Sequence, residues 1–312
     1  MADRTIWSFV TRSVADRCLR YRRGMPGFDL HTHSTFSDGT LDPEQVVELA
    51  AGRDLTGIAL TDHDTTEGVE RARVAARSSG LQVLVGCELS AEHDGAAAPR
   101  AEPSPVHVLG YGFDPREPVF AARLAWIRDG RVRRVRRMVE RLRALGADVR
   151  LDRVLELAGS GSVGRPHVAR AMVEAGVVED VAAAFGPEWI ATGGRAYVAK
   201  EAVAPVEAVE LIRGAGGVAV LAHPSLHAGA RAVPEPVIRA MAAAGLAGLE
   251  VDHPDQGQRE RARLRALAGE LGLEVTGASD CHGALYGYRL GVERTPDATV
   301  ERLLARAPVR PG

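Results

Sequence analysis

Two histidines separated by one residue, His31 and His33, close a short apolar run that begins at Gly27, and an aspartate follows in the Ser37-Asp38-Gly39 turn. On a strand, side chains two apart share a face. Both imidazoles can therefore address one point, and the turn can fold Asp38 back over it. Imidazole and carboxylate are the usual ligands of first-row divalent metals. The same residue types recur: His63 in Thr61-Asp62-His63-Asp64, Glu88 after Gly86-Cys87, His107 in an apolar run, His223 before Pro224, and Asp280 and His282 in Ser279-Asp280-Cys281-His282-Gly283. A single histidine at a strand end is ordinarily a capping or surface residue. Joint placement is what points to metal, since His31/His33 and Asp280/His282 repeat the same-face spacing. Nine nitrogen and oxygen ligands are too many for one tetrahedral ion and suit two or three ions sharing a carboxylate. A set without thiolates points to hydrolysis of phosphate esters or amides rather than electron transfer.

The elements that must position these residues follow a rhythm. Apolar runs at 56–61, 81–86, 106–111, 217–222, 246–251 and 273–278 predict strands, in addition to the run from Gly27. Helices are expected over 41–53, 67–79, 205–215, 233–244 and 256–271, the first signalled by Asp42-Pro43-Glu44. Such alternation argues an α/β fold with largely parallel strands, whose functional residues collect at the C-terminal strand ends. Residues 91–105 are small, charged and proline-containing, and read as a loop. Between about 114 and 200 the rhythm breaks into helices at 121–145, 151–158, 165–174 and 177–185, with one strand at 196–198. The expected organisation is an N-terminal extension over 1–27, a barrel from 28–114 and 201–312, and a helical insertion over 115–200.

Composition sets bounds on the partners. A chain of 312 residues fits a barrel with an inserted subdomain. A net charge of −2 and an aromatic content of 4% argue against long duplex nucleic acid and against base-stacking platforms. The three cysteines, Cys18, Cys87 and Cys281, show no CxxC spacing, so a reducing, cytoplasmic compartment is expected. No apolar run approaches the roughly 20 residues of a membrane span, and the scattered charges of the first 25 residues do not make a signal peptide.

Six motifs, His31-Thr32-His33-Ser34-Thr35-Phe36-Ser37-Asp38-Gly39, Thr61-Asp62-His63-Asp64, Gly86-Cys87-Glu88-Leu89-Ser90, Val106-His107-Val108-Leu109-Gly110, Ala222-His223-Pro224 and Gly277-Ala278-Ser279-Asp280-Cys281-His282-Gly283, together resemble the PHP (polymerase and histidinol phosphatase) superfamily, within the amidohydrolase-like barrels. The resemblance runs from about residue 28 to the C-terminus. It implies a distorted (β/α)7 barrel of TIM type with a trinuclear site of divalent ions, manganese first and iron or zinc as alternatives. His31, His33, Glu88 and Asp280 would hold one ion. Glu88 would bridge to a second held by His107 and His223. Asp38, His63 and His282 would hold the third.

The helical insertion also looks like that of the branch acting on small nucleotides. Gly164-Arg165-Pro166-His167 opens a helix there, where anions are favoured. Arg165 and His167, joined by Arg131 and Arg134 of the arginine-rich helix, are expected to contact substrate phosphate, with His167 as a candidate general acid. The implied activity is metal-dependent removal of the 3′-phosphate from a 3′,5′-bisphosphonucleotide, pAp to AMP. Trimming of short RNA from the 5′ end and histidinol-phosphate hydrolysis are alternatives, and a non-enzymatic metal-binding scaffold is a further one. His93 reads as a surface residue of the loop, and His227 as a candidate for touching substrate. His253 has no partner at ligand spacing, and Cys87 and Cys281 read as packing residues.

Overall fold

The computed structural model describes residues 26–93, 104–159, 163–226 and 232–308, so most of the N-terminal extension, Cys18 and His227 lie outside the described residues. Eight strands form one sheet: β1 (Gly27–Thr32), β2 (Gly57–Leu60), β3 (Gln82–His93), β4 (Ser104–Tyr111), β5 (Val218–Leu221), β6 (Gly248–Asp252), β7 (Glu274–Gly277) and β8 (Thr295–Pro296), in the order β7-β6-β5-β4-β3-β2-β1-β8. A bridge between Thr32 and Cys281 brings the end of β1 beside the chain leaving β7, and the barrel nearly closes. Around it lie α1 (Pro43–Ala51), α2 (Val69–Ala76), α7 (Pro205–Gly214), α8 (Glu235–Ala243), α9 (Gln258–Leu271) and α10 (Asp297–Leu304). The stretch between β4 and α7 holds α3 (Pro118–Ala144), α4 (Leu151–Ala158), α5 (Arg165–Glu174) and α6 (Val181–Ala184). Among the described residues, no helix is long and apolar enough to cross a membrane.

Strand alternation explains the layering. On β3, Val85, Cys87, Leu89 and Ala91 join the core shared with the outer helices, while Glu88 faces the barrel mouth. On β1, Phe28 and Leu30 pack inside the barrel, yet so do His31 and His33, which have the opposite parity. The register irregularity between Asp29 and Thr32 provides that switch of face. Helix α1 starts as its sequence signals: Asp42 accepts from the Gln45 N–H at 2.9 Å, and the Gln45 side chain accepts from the Asp42 N–H at 3.0 Å.

Helix α3 belongs to two cores. Phe120, Leu124 and Ile127 pack on the outer barrel layer, whereas Val135, Met138, Val139 and Leu142 pack with Val154, Val168 and Met172 of α4 and α5. At about 1.5 Å per residue it reaches roughly 40 Å, which anchors the helical segment beside the barrel mouth.

Several expectations need correction. β3 and β4 pair antiparallel over a long ladder, as do β4 and β5. β3 ends at His93 and β4 begins at Ser104, and the ten positions between are fewer than the dozen or more that a crossover to a parallel neighbour needs. The ladder also absorbs both ends of the expected 91–105 loop, so His93 sits half-buried at the end of β3. The helix expected over 177–185 shrinks to Val181–Ala184, because Asp180 caps it by accepting from the Ala183 N–H at 2.8 Å. No strand forms at 196–198, where guanidinium groups take the carbonyls: Arg141 donates to Tyr197 O, and Arg134 Nε to Val198 O at 2.8 Å. β8 and α10 were not foreseen; β8 adds an antiparallel edge to β1.

Candidate metal centre

All nine expected ligands converge at the barrel mouth, around Glu88. Its Oε2 lies 3.2 Å from His31 Nε2, 3.2 Å from His33 Nε2 and 3.1 Å from His63 Nδ1. Its Oε1 lies 2.9 Å from His107 Nδ1 and 3.4 Å from His223 Nε2. Asp280 Oδ1 is 3.4 Å from His31 Nε2 and 3.2 Å from His33 Nε2. Asp38 approaches His282 Nε2 at 3.3 Å, His33 Nδ1 at 3.5 Å and His63 Nε2 at 3.6 Å.

Around Glu88 several of these atoms are close but not in hydrogen-bonding geometry. His31 Nε2, His33 Nε2, His63 Nδ1 and both oxygens of Glu88 are buried with no partner in hydrogen-bonding geometry. Each such orphan costs about 1–3 kcal/mol, and a cation among them would satisfy all of them. Four overlapping sets, His33/Asp38/His63/His282, His31/His223/Glu250, His31/His33/Glu88 and His63/Glu88/His107, have ligand atoms within 4.8 Å of one another. The residues therefore fit clustered divalent ions. The mutual field is strong. Burial lowers His33, but Asp280 and Glu88 push it up to about 10. Burial wins at His63, which falls to about 4 against the pull of Glu88 and Asp38. Burial raises Glu88 and Asp280, yet the surrounding histidines hold both well below the carboxylate range.

The ligands are aimed by buried carboxylates behind them. Asp62 accepts from Ser34 N–H and Ser34 Oγ, both at 2.7 Å, and from Ser37 Oγ at 2.6 Å, pinning the turn that delivers Asp38. Gly39 is required in that turn, since a Cβ there would lie 2.6 Å from His33 O. Asp29 accepts from the N–H groups of Ser279 at 3.0 Å and Gly291 at 2.7 Å, tying β1 to the chain after β7. Asp64, His223 and Asp280 hold φ of 57°, 24° and 49°, left-handed values that non-glycine residues keep only where their surroundings fix them.

Two members of the site escaped the sequence reading. Glu250 on β6 sits 3.0 Å from His31 Nδ1 through Oε1 and accepts the backbone N–H of His223 at 2.9 Å through Oε2, so one carboxylate orients the His31 imidazole and fixes the main chain that carries His223. Its signal was an acid inside the apolar run Leu249-Glu250-Val251. His253 is fully buried; its Nδ1 accepts the Asp255 N–H at 3.2 Å, which leaves Nε2–H for Asp280 Oδ2 at 3.4 Å.

Comparison with known proteins agrees with this geometry. Residues 29–148 match the PHP domain model. A 3′,5′-nucleoside bisphosphate phosphatase from Chromobacterium violaceum is 35% identical over 266 residues, covering 85% of this chain and 90% of that protein. The chain belongs to the PHP family. A 5′-3′ exoribonuclease from Haemophilus influenzae is 32% identical over 255 residues, covering 82% of this chain and 89% of that one. The crystal structure of a protein assigned as a metal-dependent phosphoesterase, from Bifidobacterium adolescentis, superposes with a TM-score of 0.77 at 36% identity, covering 92% of this chain and 99% of that chain. This PHP protein is a metal-dependent phosphoesterase, a hydrolase of the same kind.

The helical side of the mouth carries cations. Arg131 is engaged within the protein: it pairs with Asp64 and donates to Ser90 Oγ at 2.9 Å. Arg134 and Arg165 lie 5.7 and 6.0 Å from the same Tyr197 ring, and Arg165 also lies 5.7 Å from Phe185. Burial and then the neighbouring Arg165 charge lower Arg134. His167 accepts the Gly164 N–H on Nδ1 at 3.1 Å, and burial and then Arg170 lower its pKa, so it is neutral with its proton on Nε2. A pocket of about 230 Å³ opens beside His63, between Phe36 and Thr65 of the barrel and Val132, Leu155 and Val163 of the helical segment.

Proposed function

We propose that the protein removes the 3′-phosphate of 3′,5′-bisphosphonucleotides, converting pAp to AMP. The observation that carries this reading is the pairing of Arg134 and Arg165 over one aromatic ring. Like charges held together repel, and a bound anion relieves that repulsion. A monophosphate needs only the metal centre; a second anion site suits a substrate with a second phosphate. The bisphosphate phosphatase name of the Chromobacterium relative supports the same reading.

Three divalent ions, manganese first, would be held as the family resemblance implies: one by His31, His33, Glu88 and Asp280, one by Glu88, His107 and His223, and one by Asp38, His63 and His282. Ions bound there supply Lewis acidity and an acidified water. The chain's own residues do the rest. Glu250 and His253 keep His31, His223 and Asp280 oriented. Arg134 and Arg165 hold the second phosphate, which fixes the first at the barrel mouth. His167, neutral with its proton on Nε2, offers that N–H as a hydrogen-bond donor to the phosphate; it serves as general acid to the leaving oxygen only in its imidazolium form. In this reading residues 28–114 and 201–312 form the catalytic barrel, and 115–200 the substrate-binding insertion.

The test is phosphate release by manganese-loaded protein from pAp, AMP, an aryl phosphate and a short 5′-labelled RNA. A kcat/KM for pAp at least about tenfold above that for AMP is expected from one added charged contact. Equal values for pAp and AMP would overturn the bisphosphate reading. The exoribonuclease relative favours a second reading, hydrolysis of short RNA from the 5′ end, which laddering of the labelled oligonucleotide would reveal.

A further inference from the structure

Lys200 is the only lysine in the chain, and the other basic side chains of fixed charge are arginines. It lies in the strap between α6 and α7, and that strap is bound on both sides. Arg141 and Arg134 of α3 hold the carbonyls of Tyr197 and Val198, and Arg133 pairs with Glu201 at 2.5 Å. Beyond them Val203 bridges to Ala91, and its carbonyl accepts the Glu92 N–H at 3.0 Å. Position 200 is thereby wedged between the end of β3 and the face of α3 that carries Arg131 and Arg134.

The charged groups facing Lys200 are Asp64 from the chain after β2, Glu92 from β3, and Arg131 and Arg134 from α3. Asp64 is already paired with Arg131. Asp64 also follows His63 directly, so Lys200 interacts with a residue that adjoins the metal centre. Four cations, Arg131, Arg134, Arg165 and Lys200, thus gather around two carboxylates, Asp64 and Glu92, and positive charge is in excess. An arginine needs room for a planar fork; a lysine is a compact point charge on a flexible stem and fits a gap between two forks.

We propose that Lys200 completes the anion site, contacting the non-scissile phosphate together with Arg134 and Arg165, while the Tyr197 ring serves as the platform for the two guanidiniums. The proposal rests on the bisphosphate reading and deepens it. Burial holds the ammonium at about 8, so the contact is charged below that pH and fades above it.

A lysine-selective reagent reports on one side chain of this protein besides the N-terminal amine. Cyanate carbamylation of the manganese-loaded enzyme, read by peptide mass spectrometry, should slow at Lys200 by about tenfold when AMP, which keeps the 5′-phosphate, is present at saturation, the scale of one charged contact. Labelling at the same rate with and without AMP overturns the proposal. For Lys200→Met, the ratio of kcat/KM on pAp to that on an aryl phosphate should fall about tenfold, with Lys200→Arg recovering part of it. The rise of KM for pAp above pH 8 should also flatten in Lys200→Met. A retained ratio in Lys200→Met, with wild type preferring pAp over AMP, overturns this inference and leaves the bisphosphate reading standing. A wild type without that preference removes both.

Discussion

The two walls of the barrel mouth solve opposite electrostatic problems. On the barrel wall, lone pairs converge: Glu88, Asp280 and Asp38 crowd against imidazole nitrogens with several atoms left unbonded. On the helical wall, cations converge: Arg134 and Arg165 share an aromatic ring, with Lys200 nearby. One wall is complementary to metal ions and the other to an anion, and a phosphate ester bridging both is neutralised from two sides. The division predicts that barrel-wall substitutions remove chemistry on every substrate, whereas helical-wall substitutions remove selectivity. Glu88→Gln tests the first half most severely, because Glu88 approaches five histidines. Its loss in turnover should exceed the roughly 10–100-fold cost of losing an outer partner of a metal ligand, on pAp and aryl phosphate alike. Metal content after dialysis should fall with it. Retained metal and selective loss on pAp would break the comparison.

Glu250→Gln should come next, at roughly 10–100-fold in metal affinity. The amide can satisfy His31 or the His223 N–H, but its NH2 end cannot accept from the second. A metal titration followed by activity reads this directly. Arg165→Ala belongs to the other wall. Removing a charged hydrogen bond costs about 1.5–3 kcal/mol, so kcat/KM on pAp should fall by more than about tenfold and the aryl phosphate rate by much less. Equal losses on both substrates would erase the distinction between the walls.

The difference between the walls also explains what the sequence disclosed. The candidate metal ligands sit at strand ends, and spacing along a strand fixes which way they face, so His31/His33 and Asp280/His282 could be paired from local pattern alone. The residues behind them were harder. Glu250 meets His31 across 219 positions, and His253 meets Asp280 across the β6–β7 boundary, so no local period announces either contact. On the helical wall almost nothing is local. Arg131 looked like a free phosphate ligand until Asp64 and Ser90 were seen to hold it, and the apolar Tyr197-Val198 pair looked like a strand until arginines took its carbonyls. The β3–β4 reversal, by contrast, was readable: the small, charged, proline-containing stretch 91–105 reads as a loop, and a parallel pair needs a crossover, usually helical.

Arg131 is where the two walls meet, and it gives the smallest and most discriminating effect. Its guanidinium reaches from α3 to Asp64 and Ser90, so its role is to join the walls rather than to bind substrate alone. Arg131→Lys keeps the charge but loses the fork that serves both partners. The expected cost is about 1 kcal/mol of stability, seen as a thermal midpoint lower by a few degrees. Burial raises Asp64, but Arg131, with Lys200 and His63, holds its pKa below the ordinary 3.8. A carboxylate depressed in the fold adds stability above its unfolded pKa and loses it as pH falls through the folded value. The wild-type advantage over Arg131→Lys should therefore be full at neutral pH and shrink below about pH 3.8 as Asp64 takes its proton. An advantage independent of pH would mean that packing along the arginine stem, rather than the pair with Asp64, ties the helical wall to the barrel.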